Sequence, residues 1–502
     1  MDIIRNFPAL SLILAMAAAI ISSGLNGKWA KNLCYAVVTV IDIMSGFALW
    51  FCITTNQSYV YKMGRFSAPW GNEIRFGVLE CLIASFFCTI MLLALIGGAK
   101  HFKLQVDPFK ENLYYVLMNL LLASLLALVY TNDLFTAYVF VEINTISGCG
   151  LIMIREKGKT LEAAVRYMIM SLIGSGLFLF GLCILYGITG QLLMQNAHEA
   201  IIGLMASDGY QLPLTVAIVF MGVGLAVKSA LFPFHSWVPD AYGYSTTTSA
   251  AVLSSLVSKG YIVLVIKIIY RVIGFDVITK SGLLDVLFVF GLCGMIVGSV
   301  GAIRENNISR MIADSSIAQI GYIYMGIGLG TFEGMTASVF HIMSHGATKS
   351  LLFIAAFGLI LESNDSRKFI DLTGAGYRNW IAGITFTIGS LSMVGIPLFS
   401  GFISKVLFAQ SAIHATSTVR MLPTLICLAI STILNVIYFM KTVIRIYTPV
   451  EKDRMVEKKS ASFKENIGYA VSCVFLITLN IFLGLGSGPV VELIQTGLGM
   501  LE

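Results

Sequence analysis

Stretches of about twenty mostly apolar residues recur along almost the whole length of this 502-residue sequence. A helix needs about 20 such residues to cross the hydrocarbon core of a bilayer. By that measure the sequence contains fourteen candidate spans, centred near residues 16, 44, 88, 121, 142, 177, 221, 260, 293, 320, 348, 391, 434 and 476. No separate soluble domain is visible between them. The sequence therefore predicts an all-α, polytopic membrane protein with about fourteen transmembrane helices.

The charged residues are too few for a water-soluble chain of this length. They make up 12% of the residues, against 57% that are hydrophobic, whereas a soluble domain averages about 25% charged residues. So small a charged fraction could not keep the apolar surface of several soluble domains in water. Disorder is excluded as well, because the chain has ample apolar surface to bury.

The basic residues of the loops divide unequally between the two sides of the predicted membrane. Loops that follow odd-numbered spans hold 21 of them: Lys28, Lys31, Lys100, Lys103, Lys110, Arg155, Lys157, Lys159, Arg166, Arg304, Arg310, Arg367, Lys368, Arg378, Lys441, Arg445, Lys452, Arg454, Lys458, Lys459 and Lys464. The opposite side holds seven: Arg5, Lys62, Arg65, Arg75, Arg271, Lys280 and Arg420. By the positive-inside rule, the loops after odd-numbered spans are cytoplasmic. We therefore predict a multi-pass protein of the cell membrane with both termini on the extracytoplasmic side.

Net charge and cysteine usage limit the partners and cofactors of the chain. A net charge of +6 would suit nucleic acid or anionic lipid, but the distribution of the charges favours the lipid bilayer. The nine cysteines form no CxxC pair, and nearly all lie within apolar runs, which fits neither a disulfide framework nor an iron–sulfur cluster. We expect no redox centre, cofactor or metal ion in this chain, and no nucleic-acid partner.

Five lysines remain when the 28 loop residues are subtracted from the 33 basic residues, and all five lie inside predicted spans: Lys228, Lys259, Lys267, Lys349 and Lys405. A charge at the bilayer centre costs at least about 2.5–3.5 kcal/mol, so ionisable residues at this depth mark functional sites. Acidic residues at similar depth are Glu142, Asp42, Glu80 and Asp314. Asp42 and Glu80 could instead contact neighbouring subunits or headgroups, and Lys267 could snorkel to the interface. Asp314 has no assigned role.

Two predicted spans are interrupted by prolines close to a buried lysine. Pro233 lies five residues after Lys228, and Pro397 lies eight residues before Lys405. An interior proline removes a backbone hydrogen bond and clashes with the preceding turn. Paired interruptions at corresponding positions of two halves indicate inverted repeats. We therefore predict four units: N-terminal helices over 1–112, a first inverted repeat of five helices over 113–274, a second over 275–447, and a C-terminal helix over 448–502.

A set of ionisable residues could carry protons near the midplane of the membrane. Burial favours the neutral form of a lysine and a nearby carboxylate favours its charged form, so a pair of Glu142 and Lys228 could take up and release a proton. Histidines titrate near physiological pH and can bridge such sites. The candidate relay residues are Glu142, Lys228, His235, Lys259, His341, His345, Lys349 and Lys405. A purely structural ion pair at Glu142 stays open. A metal site is not expected at the two histidines of span eleven, because no third ligand or HExxH glutamate accompanies them.

Several of these residues stand in longer motifs that resemble those of a known family, the antiporter-like proton-channel subunits. The motifs are Glu142, Lys228 before Phe-Pro-Phe-His-Ser-Trp-Val-Pro-Asp240, Lys259, His341-Ile-Met-Ser-His345-Gly-Ala-Thr-Lys349, Gly395-Ile-Pro-Leu-Phe-Ser-Gly-Phe-Ile-Ser-Lys405 and Glu162-Ala-Ala-Val-Arg-Tyr167. The resemblance covers nearly all of the chain. This family supplies subunits of complex I, of membrane-bound hydrogenases and of Mrp-type multisubunit cation/proton antiporters. The segment Ser67-Ala-Pro-Trp-Gly71 most resembles the D subunit of the Mrp antiporters.

The resemblance implies a fourteen-helix fold with discontinuous helices seven and twelve, and other membrane subunits as partners. It also implies a Glu142–Lys228 pair, a relay through Lys259, His341 and His345, and Lys405 as the terminal relay. Protons would be transported, with sodium as a further candidate ion. The chain would then be a transport subunit without its own redox centre, whether or not it belongs to a redox-driven translocase. One departure from the family is Ser245-Thr-Thr-Thr248, which stands where prolines are usual before helix eight.

Three classes of function remain open. The leading one is a proton-translocating subunit of a larger complex, most like the Mrp D subunit, with the equivalent pump subunit of a membrane-bound hydrogenase or NADH-quinone oxidoreductase as its alternative. The second is a stand-alone secondary transporter for a small solute, which broken helices permit. Such a transporter should display small polar groups at the breaks rather than a string of lysines. The third is a membrane scaffold whose buried charges only hold subunits together.

Overall fold

The computed structural model describes residues 3–66, 71–205, 210–415, 418–449 and 467–501. Most of the segment that resembles the Mrp D subunit, residues 67–70, lies outside these ranges. Five of the basic residues predicted on the cytoplasmic side also lie outside them: Lys452, Arg454, Lys458, Lys459 and Lys464.

Helices form almost all of the described chain, as predicted. In chain order they are α1 (Phe7–Gly24), α2 (Gly27–Thr55), α3 (Val78–Gln105), α4 (Glu111–Tyr130), α5 (Leu134–Met153), α6 (Gly158–Thr189), α7 (Met194–Met205), α8 (Gln211–Lys228), α9 (Val238–Tyr244), α10 (Thr247–Val252), α11 (Ser258–Ile268), α12 (Phe275–Lys280), α13 (Leu283–Arg304), α14 (Ile308–Gly328), α15 (Phe332–Leu361), α16 (Ala375–Arg378), α17 (Trp380–Val394), α18 (Ser400–His414), α19 (Thr418–Ile446), α20 (Ile467–Leu485) and α21 (Ser487–Gly499). A π-helical turn, Leu253–Val257, joins α10 to α11, and a second, Ile269–Ile273, follows α11.

Twelve helical segments of the described chain are long and apolar enough to cross a membrane. The polytopic, all-helical membrane fold is therefore confirmed, whereas the count of about fourteen spans is not. The expected spans near residues 320 and 391 are helical but are not among the twelve. The helix α14 carries several polar residues in its middle, and α17 has only 15 residues because the chain breaks after it.

Both predicted breaks are present. The helix α8 ends at Lys228 and α9 begins at Val238, while α17 ends at Val394 and α18 begins at Ser400. Each break contains a non-glycine residue with a positive φ, Ala230 at 64° and Leu398 at 92°. Such backbone strain persists only where the surrounding structure imposes it, and it clusters at functional sites.

Glycines allow two pairs of helices to approach each other closely. A Cβ atom at Gly224 of α8 would lie 2.6 Å from the carbonyl oxygen of Gly174 in α6. A Cβ atom at Gly321 of α14 would likewise lie 2.6 Å from the carbonyl oxygen of Gly291 in α13. Small residues at such crossings are the usual means by which membrane helices pack.

Two segments at the centre of the molecule are enclosed by protein. In the most apolar stretches of residues 247–273 and of α15, 100% and 94% of the residues are buried. Polar groups on these segments therefore face other helices rather than lipid.

The segment Ser245–Thr248, which departs from the family pattern of prolines, caps the helix α10. The Thr246 hydroxyl accepts a hydrogen bond from the Ser249 amide at the start of that helix.

Two elements were not predicted. A hairpin of β1 (Tyr59–Lys62) and β2 (Glu73–Phe76) lies between α2 and α3, with Tyr59 opposite Phe76 in an antiparallel register. The short helix α21 follows α20 near the end of the chain. Both elements meet at Arg75 of β2, which donates a hydrogen bond to the carbonyl oxygen of Met500.

Candidate functional site

Six ionisable side chains form a buried set in the centre of the molecule, on α8, α11, α15 and α18 between the two helix breaks. Lys259 and Lys349 are 0% exposed, and Lys228, His341 and His345 are at most 3% exposed. Lys405 of α18 is partly buried. Helices of the protein surround these groups, so the hydrogen-bond partners of each group determine how readily it holds or releases a proton.

Lys228, the last residue of α8, is held by a hydroxyl group of α5. Its ammonium group donates a hydrogen bond of 2.5 Å to Thr145 Oγ1 and lies 5.5 Å from the centre of the Tyr261 ring. Glu142 precedes Thr145 by three residues, which places both on one face of α5. Glu142 is the acidic neighbour that acts electrostatically on Lys228.

A direct Glu142–Lys228 ion pair within 4.0 Å is absent from the parts of the chain that the structure describes. Lys228 instead donates its hydrogen bond to Thr145 Oγ1, and the Thr145 hydroxyl donates to the carbonyl oxygen of Val141 at 2.9 Å. Glu142 is partly exposed. The Glu142–Lys228 pair that the family resemblance implied is therefore not a direct ion pair, and Thr145, one turn from Glu142 on α5, holds the ammonium group.

The predicted relay residue His235 lies in the first break, after Pro233. Its ring stacks on Phe232, with the ring centres 5.6 Å apart, and no described residue forms a hydrogen bond with its Nδ1 atom. Over the described residues, no hydrogen bond joins it to Lys228 or to another member of the buried set. His235 thus lies apart from that set, next to the strained turn of the chain.

A pair of serines on α14 links the lysines of α11 and α15. Lys259 donates hydrogen bonds to the carbonyl oxygen of Ser254 and, at 3.2 Å, to Ser258 Oγ. The Ser254 hydroxyl lies 3.1 Å from the Ser316 hydroxyl. The neighbouring Ser315 accepts a hydrogen bond from the ammonium group of Lys349.

Ser316 contacts Ser254, whose carbonyl oxygen accepts the hydrogen bond of Lys259, and Ser315 accepts that of Lys349. The serine pair therefore lies between the hydrogen-bond acceptors of two buried lysines. Lys349 also donates to the carbonyl oxygen of Ile312 at 2.7 Å. Asp314, which immediately precedes the two serines, is 6% exposed and lies against Gly301 of α13, where a Cβ atom would be 3.3 Å from its carboxylate carbon. The segment 314–316 therefore belongs to the site.

The two histidines of α15 stack on each other one turn apart, with ring centres 5.9 Å apart and an angle of 15° between the rings. His341 Nδ1 lies 2.9 Å from Ser404 Oγ, and His341 also stacks on Tyr322. Among the described residues, none forms a hydrogen bond with either ring nitrogen of His345 or with His341 Nε2. These nitrogen atoms lie in the middle of the protein and can each accept or donate one further hydrogen bond.

Lys405, one turn into α18, reaches back across the second break. Its ammonium group donates to the carbonyl oxygen of Val394 at 2.6 Å and to Thr432 Oγ1 at 3.0 Å. Gly395, at φ 90°, leaves room for this side chain, since a Cβ atom there would lie 3.0 Å from Lys405 Cδ. Lys405 also lies 6.0 Å from the centre of the Tyr322 ring. Tyr322 therefore lies between Lys405 and His341.

Lys267 and Glu80 are two further buried ionisable residues, near the end of α11 and the start of α3 respectively. The Lys267 ammonium group donates hydrogen bonds of 2.6 Å to the carbonyl oxygens of Val129 and Thr131, and the residue is only 1% exposed. Lys267 therefore caps the end of α4 and does not snorkel to the interface. Glu80 pairs with Arg75 at 2.6 Å.

Sequence reasoning found the lysines and histidines but missed the hydroxyl-bearing residues between them. Those residues are Thr145, Ser254, Ser315, Ser316, Ser404 and Thr432. The sequence singled out Asp314, which precedes Ser315 and Ser316, but assigned it no role. A search for hydroxyl residues one turn from the acidic residues inside predicted spans would have found Thr145, which follows Glu142 by three residues.

Similarities to known proteins extend over most of the chain. Residues 131–431 match the family described as NADH:quinone oxidoreductase/Mrp antiporter, TM. The chain is 29% identical over 436 residues to NADH-quinone oxidoreductase subunit N of Desulforudis audaxviator (strain MP104C), which covers 87% of this chain and 84% of that protein. It is 28% identical over 419 residues to the putative antiporter subunit mnhD2 of Staphylococcus aureus (strain MRSA252), which covers 82% of this chain and 80% of that one.

The fold is also found in a solved respiratory complex. A chain in the structure of the membrane-bound sulfane sulfur reductase, an archaeal respiratory membrane complex, matches with a TM-score of 0.87 and 25% sequence identity. The match covers 100% of this chain and 98% of the other. Together, these similarities confirm the resemblance that the sequence motifs indicated.

Proposed function

The chain belongs to the NADH:quinone oxidoreductase/Mrp antiporter transmembrane family, and on that premise we propose that it translocates protons as an antiporter-like membrane subunit of a larger complex. We propose further that it corresponds to the D subunit of an Mrp-type monovalent cation/proton antiporter. One observation carries the proposal. Buried lysines and histidines lie between the first helix break and the second, and all of them except His345 contact a serine or threonine hydroxyl group.

The first half of the path uses Glu142, Lys228 and Lys259. Lys228 holds a proton while the nearby Glu142 carboxylate stabilises its charge and Thr145 accepts its hydrogen bond, and it releases the proton when that stabilisation weakens. Lys259 accepts the proton on the next helix. A lysine suits both steps because it can exist either charged or neutral in a buried site.

The second half uses the histidines of α15 and then Lys405. The unpartnered nitrogen atoms of His345 can receive a proton through water, since buried polar atoms without a protein partner are usually satisfied by ordered water. His341 passes the proton towards Lys405, beside Tyr322 and Ser404. Lys349 and the serine pair of α14 lie beside this path and orient its groups through hydrogen bonds.

The remaining predictions belong to the same proposal. The two inverted repeats would comprise residues 113–274 and 275–447, so that each contains one helix break. The loops after odd-numbered spans would face the cytoplasm, and both termini would lie outside the cell membrane. Other membrane subunits would be partners, and sodium is the further ion that the complex could exchange for protons.

The test is proton transport by the assembled complex in membrane vesicles. Replacing Lys228 or Glu142 by Ala should abolish transport while the subunits still copurify. Lys280→Ala, at an exposed lysine of α12, is the matched control and should transport normally. Wild-type rates in assembled Lys228→Ala and Glu142→Ala complexes would exclude the relay. Loss of assembly in both variants would favour the scaffold instead.

A redox-driven pump is the second candidate, and two similarities favour it. The protein from Desulforudis audaxviator is named as a subunit of an NADH-quinone oxidoreductase, and the solved structure is a sulfane sulfur reductase. The iron content of the complex, purified in mild detergent, separates the two candidates. Several irons per complex with hydrophilic subunits present would identify a redox-driven pump. A complex of membrane subunits free of iron would identify a gradient-driven antiporter.

A further inference from the structure

Asp42 is an acidic residue outside the proposed proton path, in the middle of α2. Its carboxylate accepts hydrogen bonds from Ser85 Oγ at 2.8 Å and from Thr89 Oγ1 at 3.0 Å. Over the described ranges of the chain, no lysine, arginine or histidine lies within 4.0 Å of it. The two hydroxyl groups are neutral, so they orient the carboxylate without balancing its charge.

Asp42 is far from both ends of its helix. It follows Gly27 by 15 residues and precedes Thr55 by 13 residues. At about 1.5 Å per residue, this distance places it about 20 Å from either end. Basic or amine groups at the membrane surface therefore cannot reach it, and its charge is balanced either by a proton or by a basic group at the same depth.

The surface beside Asp42 is open and shaped for a neighbour. Ile43, Gly46, Phe47 and Trp50 line a shallow groove of about 400 Å³, and no atom lies within 4 Å of a Cβ built on Gly46. Asp42 and Gly46 are four residues apart, so they lie on one face of α2. Phe47 and Trp50 are more than half exposed, at 53% and 56%. A small residue between large ones lets a second helix approach closely.

We propose that this face of α2 binds a membrane-spanning helix of another subunit, and that a lysine or arginine of that helix pairs with Asp42. Charge complementarity identifies the partner, because ionisable residues inside a membrane are found paired with one another. Acyl chains could cover the apolar side chains of the groove, but they cannot balance the carboxylate. The inference rests on the proposed assembly of this chain into a complex, and not on the proton path.

Crosslinking in native membranes tests the contact directly. A photoreactive phenylalanine analogue at Phe47 of the intact complex should crosslink to another membrane subunit. Mass spectrometry should place the crosslink on a transmembrane helix with a lysine or arginine within about one turn. A crosslink to lipid alone, or to a helix without a basic residue in the membrane, would overturn the proposal.

Charge exchange tests the pairing. Asp42→Lys should reduce the copurified partner by about tenfold or more, because it replaces an attraction by a repulsion in a buried site. An acidic residue in place of the partner's basic residue should restore assembly. Ser85→Ala, which removes a hydroxyl group and leaves the charge, should retain the partner. Full assembly of the Asp42→Lys complex would overturn the proposal.

The result can be distinguished from failure of the proposed function. Proton transport by assembled Lys228→Ala complexes would refute the proton path and leave the contact at Asp42 untouched. Conversely, a lipid-only crosslink at Phe47 in a complex that transports protons would refute the contact alone.

Discussion

Lys228 donates its hydrogen bond to Thr145, one turn away from the acidic residue Glu142, and does not form a direct ion pair with it. A direct pair would hold the lysine firmly in its charged form. The Thr145 hydroxyl is neutral, and it accepts the hydrogen bond of Lys228 while it donates its own to the carbonyl oxygen of Val141. A neutral acceptor in place of a carboxylate suits the proposed role of Lys228, in which it releases its proton during each transport cycle.

Thr145→Val tests this arrangement with little change in shape. Hydrogen bonds to charged groups contribute about 1.5–3 kcal/mol, and a loss of that size at the controlling step slows transport by about tenfold or more. We expect assembled Thr145→Val complexes to show that decrease in vesicle proton-uptake assays. Thr145→Ser, which keeps the hydroxyl group, should retain most of the activity. Equal rates for the Val and Ser variants would refute a role for the hydroxyl group.

The serine pair of α14 gives a second prediction. Replacing both Ser315 and Ser316 by Ala removes one of the two acceptors of Lys349, leaving the Ile312 carbonyl oxygen, and removes the contact with Ser254. We expect proton uptake to fall by about tenfold, because one charged and one neutral hydrogen bond are lost. Ser309→Ala on the same helix, which removes a hydroxyl group away from the lysines, is the control. Comparable rates in the control and the double variant would contradict the prediction.

The ion pair of Arg75 and Glu80 predicts a structural effect. Both side chains are buried, at 3% and 1% exposure, and Glu80 also accepts a hydrogen bond from the Gly77 amide at 3.0 Å. Glu80→Ala leaves the buried guanidinium group of Arg75 without its carboxylate partner, which costs about 3–5 kcal/mol of stability. We expect a lower apparent Tm in detergent, measured by thermal unfolding. Replacing both residues by Leu should cost less than Glu80→Ala, and the reverse order would contradict the ion-pair account.

The fold was largely predictable from the sequence because the bilayer constrains it so strongly. Spans of about twenty apolar residues, together with Pro233 and Pro397, predicted the helices and both breaks. The hairpin before α3 was not predicted, since each of its strands has only four residues. Strands this short carry too little periodicity to stand out beside long apolar helices.

The candidate site was predictable to the extent that charge is rare in a membrane. Lys228, Lys259 and Lys405 stood out because lysine inside an apolar span is costly. Thr145 and Ser316 did not, because threonine and serine are common in membrane helices and usually bond to the backbone of their own helix. Both residues make that bond, Thr145 to Val141 and Ser316 to Ile312. Their additional contacts, with Lys228 and Ser254, are to other elements, and only the folded structure brings them together.

The most direct test of the account is the proton-transport rate of the complex with Lys259→Arg. Lys259 of α11 is fully buried, and its ammonium group donates to the carbonyl oxygen of Ser254 in the preceding π-helical turn. Arginine keeps the positive charge but does not give up its proton in proteins. The account predicts that the assembled Lys259→Arg complex transports no more protons than an assembled Lys259→Met complex. Wild-type transport with arginine would contradict it, since the site would then need only a fixed charge.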